Sequence, residues 1–263
     1  MRTALTIAGS DSSGGAGIQA DLKTFAAFGV YGASAITAIT AQNTIGIAST
    51  MPLSADLVTD QIEAVAGDMS IDATKIGMLA TSAIVEAVAA AIEELELPLV
   101  VLDPVLVSKS GIRLLDDDGV QGLCIELLPR AFVVTPNLPE AEVLSGKRIV
   151  SPEDAREAAR RIHGMGARSV LVTGGHGGGD PVVDLLFDGH TFHELRTPRI
   201  DTRNAHGTGC TLASALAAGL ALGQPLPEAA SRAQAYVAGA IRHALGIGHG
   251  HSLLDHFWRA SSG

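Results

Sequence analysis

The strongest constraint on this chain is a regular alternation of short aliphatic runs and helical patterns. Seven aliphatic runs have the length and composition of buried strands: Ala4–Ala8, Ala33–Thr40, Ala73–Ile76, Leu99–Leu102, Ala131–Thr135, Ser169–Thr173 and Val182–Phe187. Helical patterns separate them at Ile18–Phe28, Ala55–Ala66, Ser82–Leu95, Gly119–Leu128, Pro139–Leu144 and Glu153–Gly164. The last third of the chain is predicted to be largely helical, with helices over Cys210–Leu222 and Glu228–Leu245. Repeated strand–helix units build parallel sheets through right-handed crossovers. We therefore predict an α/β fold with a mainly parallel central sheet and helices on both faces.

One domain accounts for residues 1–263. The chain of 263 residues contains no internal repeat and no linker long enough to separate two domains. Apolar residues make up 47% of the chain but aromatic residues only 3%, which favours aliphatic strands covered by Ala-rich helices.

Charge and cysteine content narrow the choice of partners and compartment. The formal net charge of −10 repels phosphate backbones, so no nucleic-acid partner is expected. The uncharged stretches 24–55 and 207–227 are interrupted by polar residues and predict buried elements, not membrane spans. The two cysteines, Cys124 and Cys210, and an N-terminus without a secretory signal predict a cytoplasmic protein.

Polar and glycine residues follow the predicted strands. Open parallel sheets bind ligands beyond the carboxyl ends of their strands, so we expect a site where these residues meet. They are Gly9-Ser10-Asp11, Gln42-Asn43, Gly77-Met78, Asp103-Pro104-Val105, Thr135-Pro136-Asn137 and Thr173-Gly174-Gly175.

The first glycine loop, residues 12–21, matches a loose dinucleotide fingerprint. The next strand ends at Gln42-Asn43 without the acid that would hold a ribose. A tight turn and a close backbone approach to some other ligand remain equally open.

The second glycine loop, residues 204–210 (NAHGTGC), precedes an Ala-rich helix. Its backbone N–H groups and the helix N-terminus would form an anion hole. The same field is expected to lower the pKa of the Cys210 thiol, which could act as a base or line the pocket. The alternative is a plain helix N-cap at Thr208 with a small buried cysteine behind it.

Three further patterns have simple structural readings. Asn137-Leu138-Pro139-Glu140 is a good capping box, which is favoured over a magnesium site on this motif alone. Residues 173–180 are glycine-rich and predict either a flexible connection or a flap facing phosphates. The tail histidines match no regular metal spacing and are expected on the solvated surface: His243, His249, His251 and His256.

Six segments in order carry a family resemblance: IAGSDSSGGAGIQADLKTF, AITAQNT, TKIGMLA, LDPVLVSKSG, TPNLPEAEVL and HGTGCTLASALAAGLALG. They resemble the ribokinase-like superfamily and, within it, the bacterial hydroxymethylpyrimidine and phosphomethylpyrimidine kinases of thiamin synthesis. The likeness runs from about Leu5 to about Trp258. It implies a single three-layer ribokinase-like domain, a homodimer, and ATP- and Mg²⁺-dependent phosphorylation of a hydroxymethylpyrimidine and its monophosphate.

The resemblance also implies site roles. The family's pyrimidine pocket matches Gly9, Ala16, Asp21, Gln42, Met78, Val105 and Cys210. The hole for the transferred phosphoryl group matches Gly207, Thr208, Gly209 and Cys210. The magnesium shell matches Asp103, Asn137 and Glu140, and the ATP side matches Thr173, Gly175 and His206. This reverses the preference for a plain cap at Glu140, since one side chain can serve both roles.

Two departures concern the ATP side. The family usually has lysine where Thr173 stands and commonly threonine where Ala205 stands.

Three alternative functions remain open. The first is a pyridoxal or pyridoxine kinase, whose substrate also carries a hydroxymethyl arm. The others are an oxidoreductase built on the first glycine loop and a ligand-binding relative without turnover.

Overall fold

One mixed sheet forms the centre of the protein. A computed structural model describes residues 1–108, 111–176, 180–200 and 206–259. Within these ranges nine strands pair in the order β3-β2-β1-β4-β5-β6-β7-β8-β9. Their bounds are β1 Thr3–Asp11, β2 Tyr31–Gln42, β3 Ile47–Pro52, β4 Ala73–Ile76, β5 Val100–Leu102, β6 Val133–Val134, β7 Val170–Val172, β8 Val182–Phe187 and β9 Phe192–Thr197. Six neighbouring strands pair in parallel, in the order β2-β1-β4-β5-β6-β7. At the two edges, β3 pairs antiparallel with β2, β8 antiparallel with β7, and β9 antiparallel with β8.

Helices cover both faces of this sheet, which confirms the predicted three-layer α/β fold. Their bounds are α1 Gly17–Ala27, α2 Ala55–Ala66, α3 Ser82–Glu94, α4 Asp117–Gly122, α5 Leu138–Ser145, α6 Pro152–Gly164, α7 Thr208–Ala221 and α8 Leu226–Arg242. Buried side chains of α1, α7 and α8 form one core with the sheet, and those of α2, α3, α5 and α6 form the other.

Local sequence explains where the helices begin. Ser54, Thr81 and Ser151 cap α2, α3 and α6 by accepting hydrogen bonds from first-turn N–H groups. Helix α7 differs, because every residue from Thr211 to Ala221 is buried. Its many alanines leave room for the close approach of α1 and α8. Helix α7, which starts at the second glycine loop, is therefore enclosed between the sheet and the neighbouring helices.

Two strands and one helix end differ from the sequence prediction. Edge strands β3 and β9 were not expected, since β3 is mostly exposed and lacks a buried face to produce an apolar pattern. The helix predicted over Gly119–Leu128 ends early, because α4 continues as a π turn over Leu123–Leu127 and a 3₁₀ turn over Leu128–Arg130.

The segment after α8 folds back over the site end of the sheet. Leu245 and Leu253 exchange two backbone hydrogen bonds, and the His251 N–H donates to the Thr44 carbonyl at 2.8 Å. The prediction that the tail histidines are solvated is wrong for His256, which is 4% exposed. Its ring nitrogen lies 3.1 Å from Thr211 Oγ1, and its carbonyl accepts a hydrogen bond from the Tyr236 hydroxyl.

No helix among the described residues is both long enough and apolar enough to cross a membrane.

Candidate active site

The first glycine loop is a tight turn organised by Asp11. The Asp11 carboxylate accepts hydrogen bonds from the backbone N–H groups of Ser13 and Ala16, both at 2.8 Å. Burial works against the charge, but hydrogen bonds from His206 and Ser13 hold the pKa of Asp11 below its usual value. Gly17 has φ +57°, and a Cβ there would lie 2.3 Å from the Gly9 carbonyl oxygen. The loop thus folds onto the end of β1.

The second glycine loop packs directly on the first. Gly207 is the N-cap of α7 with φ +83°, and a Cβ there would lie 1.9 Å from the Gly15 carbonyl oxygen. The alternative in which Thr208 is the N-cap is wrong, because α7 already begins at Thr208. A Cβ at Gly209 would lie 3.8 Å from Asp103 Oδ1. The donors at the start of α7 therefore lie beside the end of β5.

Cys210 lies in the first turn of α7, between the glycine loop and Asp103. Its sulfur lies near the Gly17 N–H and near the Asp103 carboxylate. Burial raises the pKa of the Cys210 thiol to about 12, and the nearby carboxylates of Asp103 and Asp21 act in the same direction. The expected lowering of this pKa is wrong, since burial and two carboxylates outweigh the helix field and Lys75.

Two buried carboxyl groups face each other beyond β5 and β6. Burial raises the pKa of Asp103 to about 6, although Lys75 opposes the rise. Burial and the charge of Asp103 raise the pKa of Glu140 to about 8. Glu140 and Asn137 form the capping box that the sequence predicted, with reciprocal hydrogen bonds of 2.9 and 3.0 Å.

This carboxyl pair suits a divalent cation. The Oδ2 atom of Asp103 is buried and has no hydrogen-bond partner among the described residues. A cation would satisfy that oxygen and relieve the repulsion between the two acids. Within the described part of the chain, no group of three His, Cys, Asp or Glu residues could hold a metal by itself. Mg²⁺ needs no such cage, because it keeps several waters and also binds substrate phosphates.

A second group of residues forms a pocket beside the glycine loops. The Gln42 side-chain amide lies 2.8 Å from His206 Nε2, which lies 3.1 Å from Asp11 Oδ2. Gln42 and His206 line this pocket together with Asn43, Ile45, Gly46, Ile47, Ser108 and His251. At the β1 end, Gly9 leaves space for Met78, since a Cβ at Gly9 would lie 3.0 Å from the Met78 methyl group.

Asp21 lies behind the site. Its side chain is fully buried and accepts hydrogen bonds at 2.7 Å from Thr6, at 3.0 Å from Lys75 and at 2.6 Å from Ser214. All three donors belong to the protein interior, which differs from the pocket-wall position expected for Asp21. Sequence reasoning also missed Lys75. The available signal was a lysine inside an aliphatic strand, where a charge needs a buried partner.

The residues expected on the ATP side follow β7. The Thr173 N–H donates to the Pro136 carbonyl at 2.9 Å, which places Thr173 next to Asn137. The Gly174 N–H donates to the buried Asp184 carboxylate at 2.7 Å, and Gly175 is exposed. His206 lies instead on the Gln42 side of the site. Residues 177–179 and Ala205 lie outside the described residues.

Comparisons with known proteins agree with this geometry. The sequence profile described as phosphomethylpyrimidine kinase matches residues 11–255. The hydroxymethylpyrimidine/phosphomethylpyrimidine kinase of Rhizobium meliloti is 52% identical over 97% of this chain and 97% of its own. The bifunctional thiamine biosynthesis protein ThiED of Geobacter sulfurreducens is 50% identical over 97% of this chain, which spans only 52% of that protein.

Solved structures give the same architecture. An ADP complex of Bacillus subtilis pyridoxal kinase has a TM-score of 0.91 and 39% identity, with 99% of both chains covered. A phosphomethylpyrimidine kinase from Clostridium difficile has a TM-score of 0.82 and 41% identity, covering 92% of this chain and 100% of the other.

Proposed function

The chain belongs to the phosphomethylpyrimidine kinase family, and from this premise we propose that it transfers the γ-phosphoryl group of ATP to a pyrimidine. The acceptors are the hydroxymethyl group of 4-amino-5-hydroxymethyl-2-methylpyrimidine and the phosphate of its monophosphate. The product serves the synthesis of thiamin diphosphate.

The observation that carries this proposal is the meeting of an anion site and an acidic cation site at one edge of the sheet. The N-terminus of α7 supplies backbone donors beside Asp103, and Glu140 lies close enough to Asp103 for that charge to raise its pKa. Phosphoryl transfer requires mainly positioning and neutralisation of charge on the phosphate oxygens. Both elements are supplied by the loops after β5, β6 and the second glycine loop.

Separate groups of residues bind the phosphoryl group, the metal ion and the nucleotide. The N–H groups of residues 207–210 hold the phosphoryl oxygens as negative charge shifts among them. Asp103 and Glu140, with Asn137 capping the helix that carries Glu140, would hold Mg²⁺, and the ion would neutralise charge on the phosphates. Thr173, which follows β7, lies next to Asn137, and Thr173 and Gly175 face the nucleotide.

The pyrimidine occupies the pocket beside Gln42. The amide of Gln42 has a donor and an acceptor, which suits an aminopyrimidine edge, and it lies 2.8 Å from His206 Nε2. The family resemblance adds Met78, Val105, Gly9 and Ala16 to this pocket; in the structure the space left by Gly9 is taken by the Met78 methyl group. Since Asp21 is already saturated by interior donors, we assign it a supporting role.

Cys210 contributes as a neutral thiol. A pKa of about 12 leaves almost no thiolate at neutral pH. We therefore assign it to the pocket wall beside Asp103, in place of the general base that the sequence suggested. Transfer of this type leaves little covalent chemistry for a protein base to perform.

The decisive experiment is coupled ADP release by the purified protein with Mg-ATP. Hydroxymethylpyrimidine, its monophosphate and pyridoxine are compared as acceptors. Turnover of the pyrimidines at a kcat/KM well above that of pyridoxine supports the proposal. Turnover of pyridoxine alone would instead support the alternative function of a pyridoxal or pyridoxine kinase, which the structural similarity to pyridoxal kinase suggests. Sedimentation of the same sample tests the predicted homodimer.

A further inference from the structure

Lys75 is a buried ammonium on the sheet face covered by α1 and α7. Its side chain is fully shielded from solvent, and Nζ donates to Asp21 Oδ2 at 3.0 Å. The head group lies under Gly77, since a Cβ there would be 2.7 Å from Nζ. A buried charge is costly unless it is paired, so its position between particular carboxylates requires an explanation.

Two carboxylates surround this one ammonium, and they differ in how well they are satisfied. Asp21 also accepts hydrogen bonds from Thr6 and Ser214, so hydroxyl groups complete its shell. Asp103 Oδ2 lies 4.0 Å from Nζ and has no hydrogen-bond partner among the described residues. The carboxylate that faces the site thus depends on the lysine for charge compensation more than Asp21 does.

We propose that Lys75 is a positioning residue for phosphoryl transfer: anchored by Asp21, its fixed positive charge holds the Asp103 carboxylate in place beside the N-terminus of α7. This inference rests on the proposed function, because Asp103 matters only if phosphates and a cation bind there. It also explains why Asp21 lies behind the site. Its strong hydrogen-bond shell connects β1, β4, α1 and α7 and fixes the lysine head group.

Lys75 acts on the site through its charge and does not contact the substrate. Lys75 is enclosed by Gly77, Ala8 and its carboxylate partners, so no substrate atom reaches it. Burial opposes protonation, but Asp21, Cys210 and Asp103 raise the pKa of Lys75 above its usual value, so the ammonium persists at neutral pH.

The test compares K75M, D21N and the double variant D21N/K75M. K75M leaves two buried carboxylates without a counter-charge and is expected to melt well below wild type. The double variant removes one positive and one negative charge, so its melting temperature is expected to recover. Its kcat is nevertheless expected to stay about 10²-fold below wild type, with KM for the pyrimidine changed less than about threefold. D21N alone keeps the ammonium and is expected to lose less than about tenfold in kcat.

A double variant with recovered stability and wild-type kcat would overturn the proposal, because a purely structural ion pair predicts that result. A second readout needs no turnover: calorimetric binding of ADP with and without Mg²⁺. The double variant is expected to lose most of the tightening that Mg²⁺ produces in wild type. If wild type fails to phosphorylate any pyrimidine, the proposed function fails, and the calorimetry still decides the role of Lys75. An unchanged Mg²⁺ effect in the double variant refutes it.

Discussion

Replacing Gly207 by alanine tests the geometry of the anion hole. The residue has φ +83°, a region that costs alanine about 1–2 kcal/mol. For 263 residues, that strain lowers the melting temperature by about 2–4 °C. The added methyl group also meets the Gly15 carbonyl oxygen at 1.9 Å, so the two glycine loops must separate. We expect kcat to fall by about 10²–10³-fold, the loss typical of removing one donor from an oxyanion hole.

A matched control lies just beyond the other end of α7. Gly223 has φ +82°, and nothing lies within 4 Å of its would-be Cβ, so G223A adds the same backbone strain without a clash. Both variants are compared by thermal melting and by coupled ADP release with hydroxymethylpyrimidine. G223A should lose about 2–4 °C and keep its kcat within about threefold. If G207A melts no lower than G223A and also retains its kcat, the close contact between the loops is not what shapes the site.

Three other substitutions have defined outcomes. C210A should retain kcat within about tenfold, because a neutral thiol is not the base; a loss above about 10²-fold, the size that a general base supplies, would contradict this assignment. Burial lowers the pKa of His256 to about 4, so the unfolded chain binds the proton first and stability falls as the pH drops from about 6.5 toward 4. H256Q should therefore remove roughly 2 kcal/mol of the stability difference between pH 7 and pH 5 in urea unfolding, and an unchanged difference would refute the reasoning. Without metal, E140Q should melt within about 2 °C of wild type, because a neutral amide replaces a carboxyl group whose pKa is about 8. Its kcat should nevertheless fall by about 10²-fold. A retained kcat would show that Glu140 does not belong to the metal shell.

The sequence predicted elements whose signals are local. Strands β4 and β8 and helix α2 have the predicted bounds, because each is a short aliphatic run or an amphipathic pattern next to a capping residue. The edge strands β3 and β9 could not be predicted in this way. An exposed edge has no buried face, so it is specified by pairing with a neighbour and not by its own composition.

The candidate site was predictable in position but not in its electrostatics. The rule that ligands bind beyond the carboxyl ends of parallel strands gives the correct edge for Asp103 and Asn137. The pKa of Cys210 depends on burial and on carboxylates that are distant in the sequence, so the helix field alone predicted the wrong direction. The role of Lys75 was not predicted for the same reason, since its partner Asp21 is 54 residues away in the sequence.

The fold-back of the C-terminal segment has a consequence for synthesis on the ribosome. The His206 N–H donates to the Ser252 carbonyl at 3.0 Å, and a Cβ at Gly250 would lie 2.0 Å from the Thr44 carbonyl oxygen. The second glycine loop is therefore joined to residues that the ribosome adds later. A nascent chain that has not reached Ser252 lacks this hydrogen bond, even when the sheet and both glycine loops are already made. The anion hole takes its final form only after the segment that follows α8 has been synthesised.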